Sequence, residues 1–457
     1  MKKTALLLLS LVFAVAPLSA QHARNGYSGF SFVTPAQIAF GTDNNFLVDR
    51  TPEDEKLLFL SLPASVLSGA PNIRPLKLDD KVLLLTAPTL AFLGDSYKRE
   101  FAATYQPEFE IFMANSDQNA WNHRATVDFT QLLSRRWQVS VGDAYRSSKD
   151  PSRTLQNVLL LLPRTRYQEN DFRAGVSFVQ SERTTYSVRF DNAVSTFGQN
   201  DPLQRRILDT ISNAVSASVG RMVRRNHRLR VTYSIFSTSP WNRSKTADER
   251  VDSEFVAFKE PAHSLNAEYR FSINPKTVFE VAGGGIRTDT GMNYLFGAYA
   301  DRRVGEVWFG GGYSRTLSFF AAPRVALPNG LASNSFFEIL SFRMRGQPTR
   351  NIGVNVAVSG SRGIYGTLLG QNKTLLGRAR IDYRLNERTV MFLGTEAYKQ
   401  NRNDFVASPL SRYRTMVGLE YSISTEAERR TSRLNRDAEN VAITEQGRKR
   451  TKPQQED

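Results

Sequence analysis

Hydrolysis by a serine nucleophile needs a serine, a histidine and an acid in one site, and this sequence gives little sign of such a combination. Gly94-Asp95-Ser96-Tyr97 offers a serine directly after Gly-Asp, a setting in which a serine could be a nucleophile. Such a serine needs a histidine base that is itself oriented by an acid. None of His123, His227 and His263 follows an aspartate at a distance of three residues. Because Gly-Asp-Ser also suits tight turns, we predict a turn here and no enzymatic activity.

Ligands for a metal ion or an organic cofactor are equally sparse. The chain has no cysteine, and its 4 histidines are far apart in the sequence. No loop carries the dense Asp and Asn spacing of a calcium site. The triplets Gly283–Gly285 and Gly310–Gly312 are not followed by a helical pattern, so neither predicts a phosphate-binding loop. We therefore predict no cofactor and no metal site.

Arginines and acids that alternate with apolar residues form the clearest charged pattern. Arg378, Arg380, Asp382 and Arg384 alternate with Ala379, Ile381 and Tyr383, and a period of two indicates a β-strand with one polar and one apolar face. The same alternation predicts a polar set that faces one side of a sheet: Arg173, Arg189, Arg230, Glu268, Arg270, Arg343, Arg345, Arg378, Arg380, Asp382 and Arg384.

The apolar half of this pattern recurs along almost the whole chain. Leu265, Ala267, Tyr269, Phe271 and Ile273 are spaced by two, and similar series occur between positions 98 and 423. Short turns are predicted near 94–96, 134–135, 181–183, 225–227, 274–276, 301–303, 347–349 and 386–387, and most of the connections between them are longer. Short turns that alternate with long loops are typical of transmembrane β-barrels.

The first 20 residues predict export. Lys2 and Lys3 precede an apolar run from Leu6 to Ala16, and Ala20 offers a small residue for cleavage. Mean hydropathy of −0.38 and the lack of a later apolar run of spanning length argue against membrane helices. The net charge of +16 could attract nucleic acid. Because the chain is predicted to be exported and its charges are spread over strands, we predict no nucleic-acid partner.

These patterns together predict an all-β protein: a closed antiparallel transmembrane β-barrel of about 18 strands, with 16 as the alternative. The predicted organisation is a signal peptide at 1–20, a short segment at 21–29, the barrel at 30–424 and a tail at 425–457. The tail has dense mixed charge and no aromatic residue, so we expect it to be disordered in the periplasm. It could there contact a periplasmic partner.

An apolar run interrupts one of the long connections. Val158, Leu159, Leu160, Leu161 and Leu162 follow one another inside the connection at about 147–169. Exposed apolar runs are costly in water. The run could fold into the lumen and constrict the pore, or it could pack against the rim and other loops, and the sequence leaves both open.

Two short segments resemble known outer-membrane proteins. Gly418, Tyr421 and Ile423 have the spacing of the C-terminal assembly signal of such proteins, although a tail follows here. Phe40-Gly41-Thr42-Asp43-Asn44-Asn45 is similar to the Gly-Tyr-Asp-x-Asn segment that opens the first strand in β-barrel porin families, with Thr42 in the place of Tyr. The resemblance implies a bacterial outer-membrane barrel that meets outer-membrane lipid and the barrel-assembly machinery.

For function, we expect a porin-like channel that passes small hydrophilic solutes through a polar lumen. Export of extracellular polysaccharide or secretion is the alternative, and a membrane-embedded hydrolase is a weaker one. Arg343, Arg345, Arg378, Arg380 and Arg384 cluster on neighbouring strands, which favours a mild preference for anions. The competing hypothesis is that these arginines pair with Asp382 and other acids and only brace the wall.

Overall fold

In the computed structural model, the described part of the chain consists almost entirely of β-strands. The described residues are 27–32, 34–44, 79–96, 98–150, 166–197, 209–240, 261–288, 291–318, 335–364, 373–401 and 410–422. The strands are β1 (Tyr27–Phe32), β2 (Ala36–Asn44), β3 (Asp80–Thr86), β4 (Leu90–Asp95), β5 (Arg99–Phe112), β6 (Ala120–Leu132), β7 (Trp137–Ser148), β8 (Tyr167–Ser181), β9 (Thr184–Phe197), β10 (Thr210–Arg224), β11 (His227–Pro240), β12 (Ala262–Asn274), β13 (Thr277–Thr288), β14 (Gly291–Val304), β15 (Val307–Ser318), β16 (Ser335–Gly346), β17 (Ile352–Ile364), β18 (Lys373–Arg384), β19 (Thr389–Asn401) and β20 (Leu410–Tyr421).

The sheet closes on itself into an antiparallel barrel. From β5 to β20 each strand pairs with the next one along the chain, and β2 pairs with β20 over nine residues from Ala36↔Tyr421 to Asn44↔Tyr413. Because a closed sheet has no edge, all of its backbone groups can be paired without water. This confirms the closed transmembrane barrel that the sequence predicts.

Two barrel strands are interrupted, which reconciles the 20 segments with 18 strands. β1 and β2 are consecutive parts of the first strand, and β3 and β4 are consecutive parts of the second, since both pair with β5. Pro35 and Pro88 lie in the two interruptions, where proline cannot donate a ladder hydrogen bond. Thr34 Oγ1 and Thr89 Oγ1 are 2.8 Å apart and join the two breaks. The strand expected at about 82–93 is therefore a broken one.

An ion pair between distant strands shows which face is the interior. Arg412 on β20 lies 2.8 Å from the carboxylate of Asp150, which follows β7. These two elements are separated by several strands in the sheet, so their side chains can meet only across the inside of the barrel. The register then places alternate residues of every strand inside, and the opposite face carries large exposed apolar side chains such as Leu265, Ile381 and Val417.

The outer face has aromatic residues towards both ends of the strands. Trp137, Tyr186 and Tyr383 are exposed near the short turns, and Trp121, Tyr294 and Tyr413 are exposed near the other end. Two such bands are typical of membrane barrels, where aromatic rings lie at the two lipid–water interfaces. Among the described residues, no helix is long and apolar enough to cross a membrane.

The short turns all join strands at one end of the barrel, which we call the short-turn rim; the opposite end is the long-loop rim. The turn expected at 301–303 lies instead at Gly305-Glu306, because β14 continues to Val304. Gly305 has a φ of 60°, a left-handed value that glycine adopts without strain and that tight hairpins favour. The first described strand begins at Tyr27, inside the segment expected to precede the barrel.

Candidate functional site

The predicted polar set lies on the inward face of the barrel. The register places all of its members on the same face as Arg412: Arg173, Arg189, Arg230, Glu268, Arg270, Arg343, Arg345, Arg378, Arg380, Asp382 and Arg384. Strand alternation alone places them there, because successive side chains of a strand point to opposite faces. The structure thus places these residues on the inner wall of the barrel, on six of its strands.

Two of these arginines reach an acid two strands away across a glycine. Arg173 on β8 lies 2.8 Å from Asp128 on β6, and Gly142 of β7 is between them. Arg343 on β16 likewise lies 2.6 Å from Asp301 on β14, across Gly310 of β15. A side chain at either glycine would collide with the pair.

The size of that collision explains why glycine occupies these strand positions. A Cβ atom at Gly142 would lie 2.7 Å from both Asp128 Oδ1 and Arg173 Nε. At Gly310 it would lie 2.0 Å from Asp301 Oδ1 and 2.8 Å from Arg343 Nε. Glycine inside a strand often marks a close approach of another group. Here it opens a notch through which the two charges meet.

Two of the three predicted arginines on β18, Arg378 and Arg380, are also paired. Arg378 Nη2 lies 2.8 Å from Glu396, and Arg380 lies 2.6 Å from both Asp382 and Glu420. The guanidinium of Arg380 also stacks over the ring of Phe392, 4.1 Å from its centroid. These contacts favour the bracing hypothesis over a free basic stripe, because each charge is compensated within the wall.

The remaining members of the predicted set differ in their environment. Arg189 pairs with Asp191 on its own strand, and Arg230 lies 3.9 Å from Glu268. Within the part of the chain that the structure describes, Arg270, Arg345 and Arg384 have no carboxylate within 4.0 Å. Arg345 and Arg384 lie close to the short-turn rim, so the uncompensated positive charge is concentrated towards that end of the lumen.

A buried charge cluster at the long-loop rim was not predicted from the sequence. Arg412 donates to both oxygens of Asp43 at 3.0 and 2.7 Å, and Arg414 donates to Glu110 at 2.9 Å. With Asp150, these five side chains are at most 7% exposed. The alternation Arg412-Tyr413-Arg414 continues the final strand upstream, and it is the sequence signal that could have revealed the pair of arginines.

A further buried carboxylate, outside this cluster, fixes the connection next to it. Asp80 at the start of β3 accepts three hydrogen bonds of 2.9 Å. Their donors are the backbone N–H groups of Ala114 and Asn115 and the side-chain amide of Asn115. The segment after β5 is thereby tied to the second strand. A short 3-10 helix, Ser116–Gln118, follows directly.

The serine and histidines considered for hydrolysis are well separated. Ser96 Oγ accepts a hydrogen bond from the backbone N–H of Arg99 at 3.2 Å, so the Gly-Asp-Ser segment closes a turn. The three described histidines each pair with a tyrosine hydroxyl on the outer face: His123 with Tyr105, His227 with Tyr269 and His263 with Tyr233. Each pair satisfies polar atoms that would be costly to leave unpaired against lipid.

The other predicted positions are only partly covered. In the final strand, Gly418 is inward and Tyr421 outward, and a Cβ at Gly418 would lie 2.4 Å from the carbonyl oxygen of Ile38. Ile423 lies outside the described residues, as do the run from Val158 to Leu162, the signal peptide at 1–20 and the tail at 425–457. The described residues contain no group of three or more metal-binding side chains.

A closed barrel with an apolar outer face, two aromatic bands and a charged interior can reside only across a bilayer. The chain is a transmembrane β-barrel. No protein-family model and no curated protein sequence matches it. The solved structures that match it share a low sequence identity, and the alignments span most of the described chain.

Three of these structures illustrate the range. Pseudomonas aeruginosa OpdQ matches at 12% identity with a TM-score of 0.42, and the alignment covers 86% of this chain and 97% of OpdQ. The siderophore receptor PirA of Acinetobacter baumannii matches at 7% identity with a TM-score of 0.43, covering 86% and 75%. A bacterial polysaccharide outer membrane secretin matches at 9% identity with a TM-score of 0.34, covering 86% and 99%.

Proposed function

We propose that this barrel is a passive channel for small hydrophilic solutes and that it has no catalytic role. The observation that carries the proposal is the exposure of ion pairs that point inwards. Arg173 and Asp128 are each 47% exposed, and Arg343 is 56% exposed. An inward side chain can be this exposed only if it borders open space, and a charged pair in open space is hydrated. The lumen next to these pairs therefore holds water.

The interior is not open on all sides. Around the seam between β2 and β20, the five side chains of the buried charge cluster are almost inaccessible to solvent. The open part of the lumen therefore lies along the wall formed by β6–β9 and β14–β16, where the exposed pairs are found. A solute that crosses the barrel would pass this wall and meet alternating positive and negative groups.

A wall of compensated charges suits a channel of weak selectivity. Solute selection in pores depends on width and on uncompensated lining charge. Arg173, Arg343, Arg378 and Arg380 each have an acid within 2.8 Å, so their long-range fields are largely cancelled. Neutral sugars, amino acids and small ions of either sign are the substrate class that such a lumen admits.

The test is conductance in a planar lipid bilayer. The purified protein should insert in discrete steps whose size grows with salt concentration, and liposomes that contain it should swell in small neutral sugars. Protein heated until the barrel unfolds is the matched control and should give no steps. Folded protein that inserts but conducts no ions and passes no sugar would contradict the proposal and favour a barrel that opens only with a partner.

A further inference from the structure

Charge is distributed unequally between the two ends of the barrel. The short turns contain eight basic residues, Lys98, Arg135, Arg136, Arg183, Arg225, Lys276, Arg350 and Arg388, and three acidic ones, Glu182, Glu306 and Glu387. All eight basic side chains are exposed. In the sequence of the long connections, basic and acidic residues are equal in number. The short-turn rim is therefore the basic end of the molecule.

An apolar depression lies on the outer wall next to this rim. Phe279, Ala300, Gly311 and Phe342 are register partners on four adjacent strands, β13 to β16, and all four point outwards. Two small residues thus lie side by side between two phenylalanines. Three strand spacings separate the rings, which is roughly 14 Å. The depression has a volume of about 570 Å³, within the range of ligand-binding clefts.

A basic side chain stands where this depression meets the rim. Arg302, two residues beyond Ala300 on β14, lines the depression, points outwards and is exposed. It makes no ion pair with any described residue. Thr277 is its register partner, and Lys276 is in the turn directly beside it, with its carbonyl oxygen accepting from Arg303 at 2.7 Å.

We propose that this depression binds one anionic phospholipid of the adjacent membrane leaflet. An acyl chain would lie over Ala300 and Gly311 between the two phenylalanines, and the phosphate would sit at the level of Arg302 and Lys276. Charge complementarity selects this occupant, because basic groups at a membrane surface attract anionic headgroups. The apolar floor below these basic groups can contact a hydrocarbon chain, whereas a soluble anion has no apolar part that would contact it.

The experiment is native mass spectrometry of the folded barrel in detergent micelles that contain either dioleoyl phosphatidylglycerol or dioleoyl phosphatidylcholine. The two lipids share their acyl chains and differ in net charge. The unmodified protein should retain one phosphatidylglycerol in preference to phosphatidylcholine. Arg302→Gln should lower phosphatidylglycerol binding roughly fivefold, the factor expected for one basic contact at a lipid surface, and should leave phosphatidylcholine binding unchanged.

Two further variants separate a site from a diffuse attraction. Ala300→Val partly fills the depression and should reduce binding of both lipids, whereas Arg221→Gln is the matched control. Arg221 also points outwards near the short-turn rim and is exposed, but it is on β10, outside the depression. Equal retention of both lipids, an unchanged Arg302→Gln variant, or an equal loss in Arg221→Gln would overturn the proposal. The altered electrophoretic mobility of unheated protein confirms folding of each variant.

Discussion

The guanidinium of Arg412 on the last strand donates two hydrogen bonds, of 3.0 and 2.7 Å, to the carboxylate of Asp43 on the first strand. Both side chains are at most 5% exposed. The contact crosses the seam at which the barrel closes, so it holds together elements that are 369 residues apart in the chain. Arg414 extends the same link to Glu110 on β5. The charge cluster therefore acts as an internal clamp on the closure.

Breaking this clamp should be costly. Arg412→Met leaves Asp43 and Asp150 buried without their main partner, and loss of one member of a buried pair typically costs about 3–5 kcal/mol. Urea unfolding in detergent, monitored by tryptophan fluorescence, measures the free energy of unfolding of the variant and of the unmodified protein. Arg303→Met is the control, because its pair with Glu306 is exposed and should contribute less than about 1 kcal/mol. Equal losses for the two variants would contradict the clamp.

The glycine notches can be tested with one substitution at two inward positions. Gly310→Ala places a methyl group 2.0 Å from Asp301 Oδ1 and should push Asp301 and Arg343 apart. Such crowding should cost about 1–3 kcal/mol. Gly394→Ala is the matched control, since its Cβ would have no atom within 4 Å. Both variants should be compared by urea unfolding, and equal stability would mean that the notch does not constrain the pair.

The two faces of the wall should respond differently to the same added charge. Ile381 points outwards and is 51% exposed to the lipid side, so Ile381→Arg should impair assembly, with a cost of about 2–4 kcal/mol near mid-membrane. Asn266 points inwards, opposite Gly284, and Asn266→Arg should be tolerated. The yield of heat-modifiable protein in membranes measures the outcome. Similar yields for both variants would mean that the faces are not lipid and water.

Orientation in the membrane can be tested from outside intact cells. The short turns should face the periplasm, as in other barrels of this type. A cysteine at Pro275 in a short turn should then resist an impermeant maleimide, whereas one at Ser116, exposed at the long-loop rim, should react. Reaction at 275 with protection at 116 would invert the topology. The chain has no native cysteine that could interfere.

Alternation is the feature that made the fold predictable. Series such as Leu265 to Ile273 fix both the strand and its outward face, and the structure places these residues where the period of two puts them. The number of strands followed from counting such series between turns. Local turn chemistry was less reliable: Asp301-Arg302-Arg303 resembles a turn, but β14 continues through it because pairing with β13 and β15 outweighs local preference.

Pairing partners could not be predicted in the same way. Arg173 meets Asp128 only because the register places Gly142 between them, and Arg412 meets Asp150 only because the barrel is closed. Such contacts depend on three-dimensional distance between residues that are far apart in sequence. An inward arginine can be assigned from alternation, whereas whether its charge is free or compensated needs the register of three neighbouring strands.

That distinction decides the expected ion selectivity. Arg378 and Arg380 are compensated by Glu396, Asp382 and Glu420, whereas Arg345 and Arg384 near the short-turn rim have no acid within 4.0 Å among the described residues. We therefore expect only a mild preference for anions in reversal potentials measured under a salt gradient.

Glu396→Gln with Glu420→Gln should increase the preference, because it removes the acids next to Arg378 and Arg380. Arg378→Glu with Arg380→Glu should shift it towards cations. Screening acts over roughly 8–10 Å at physiological ionic strength, so both shifts should shrink in high salt. Cation preference in the unmodified protein, or no response to either double variant, would show that this wall does not border the conduction path.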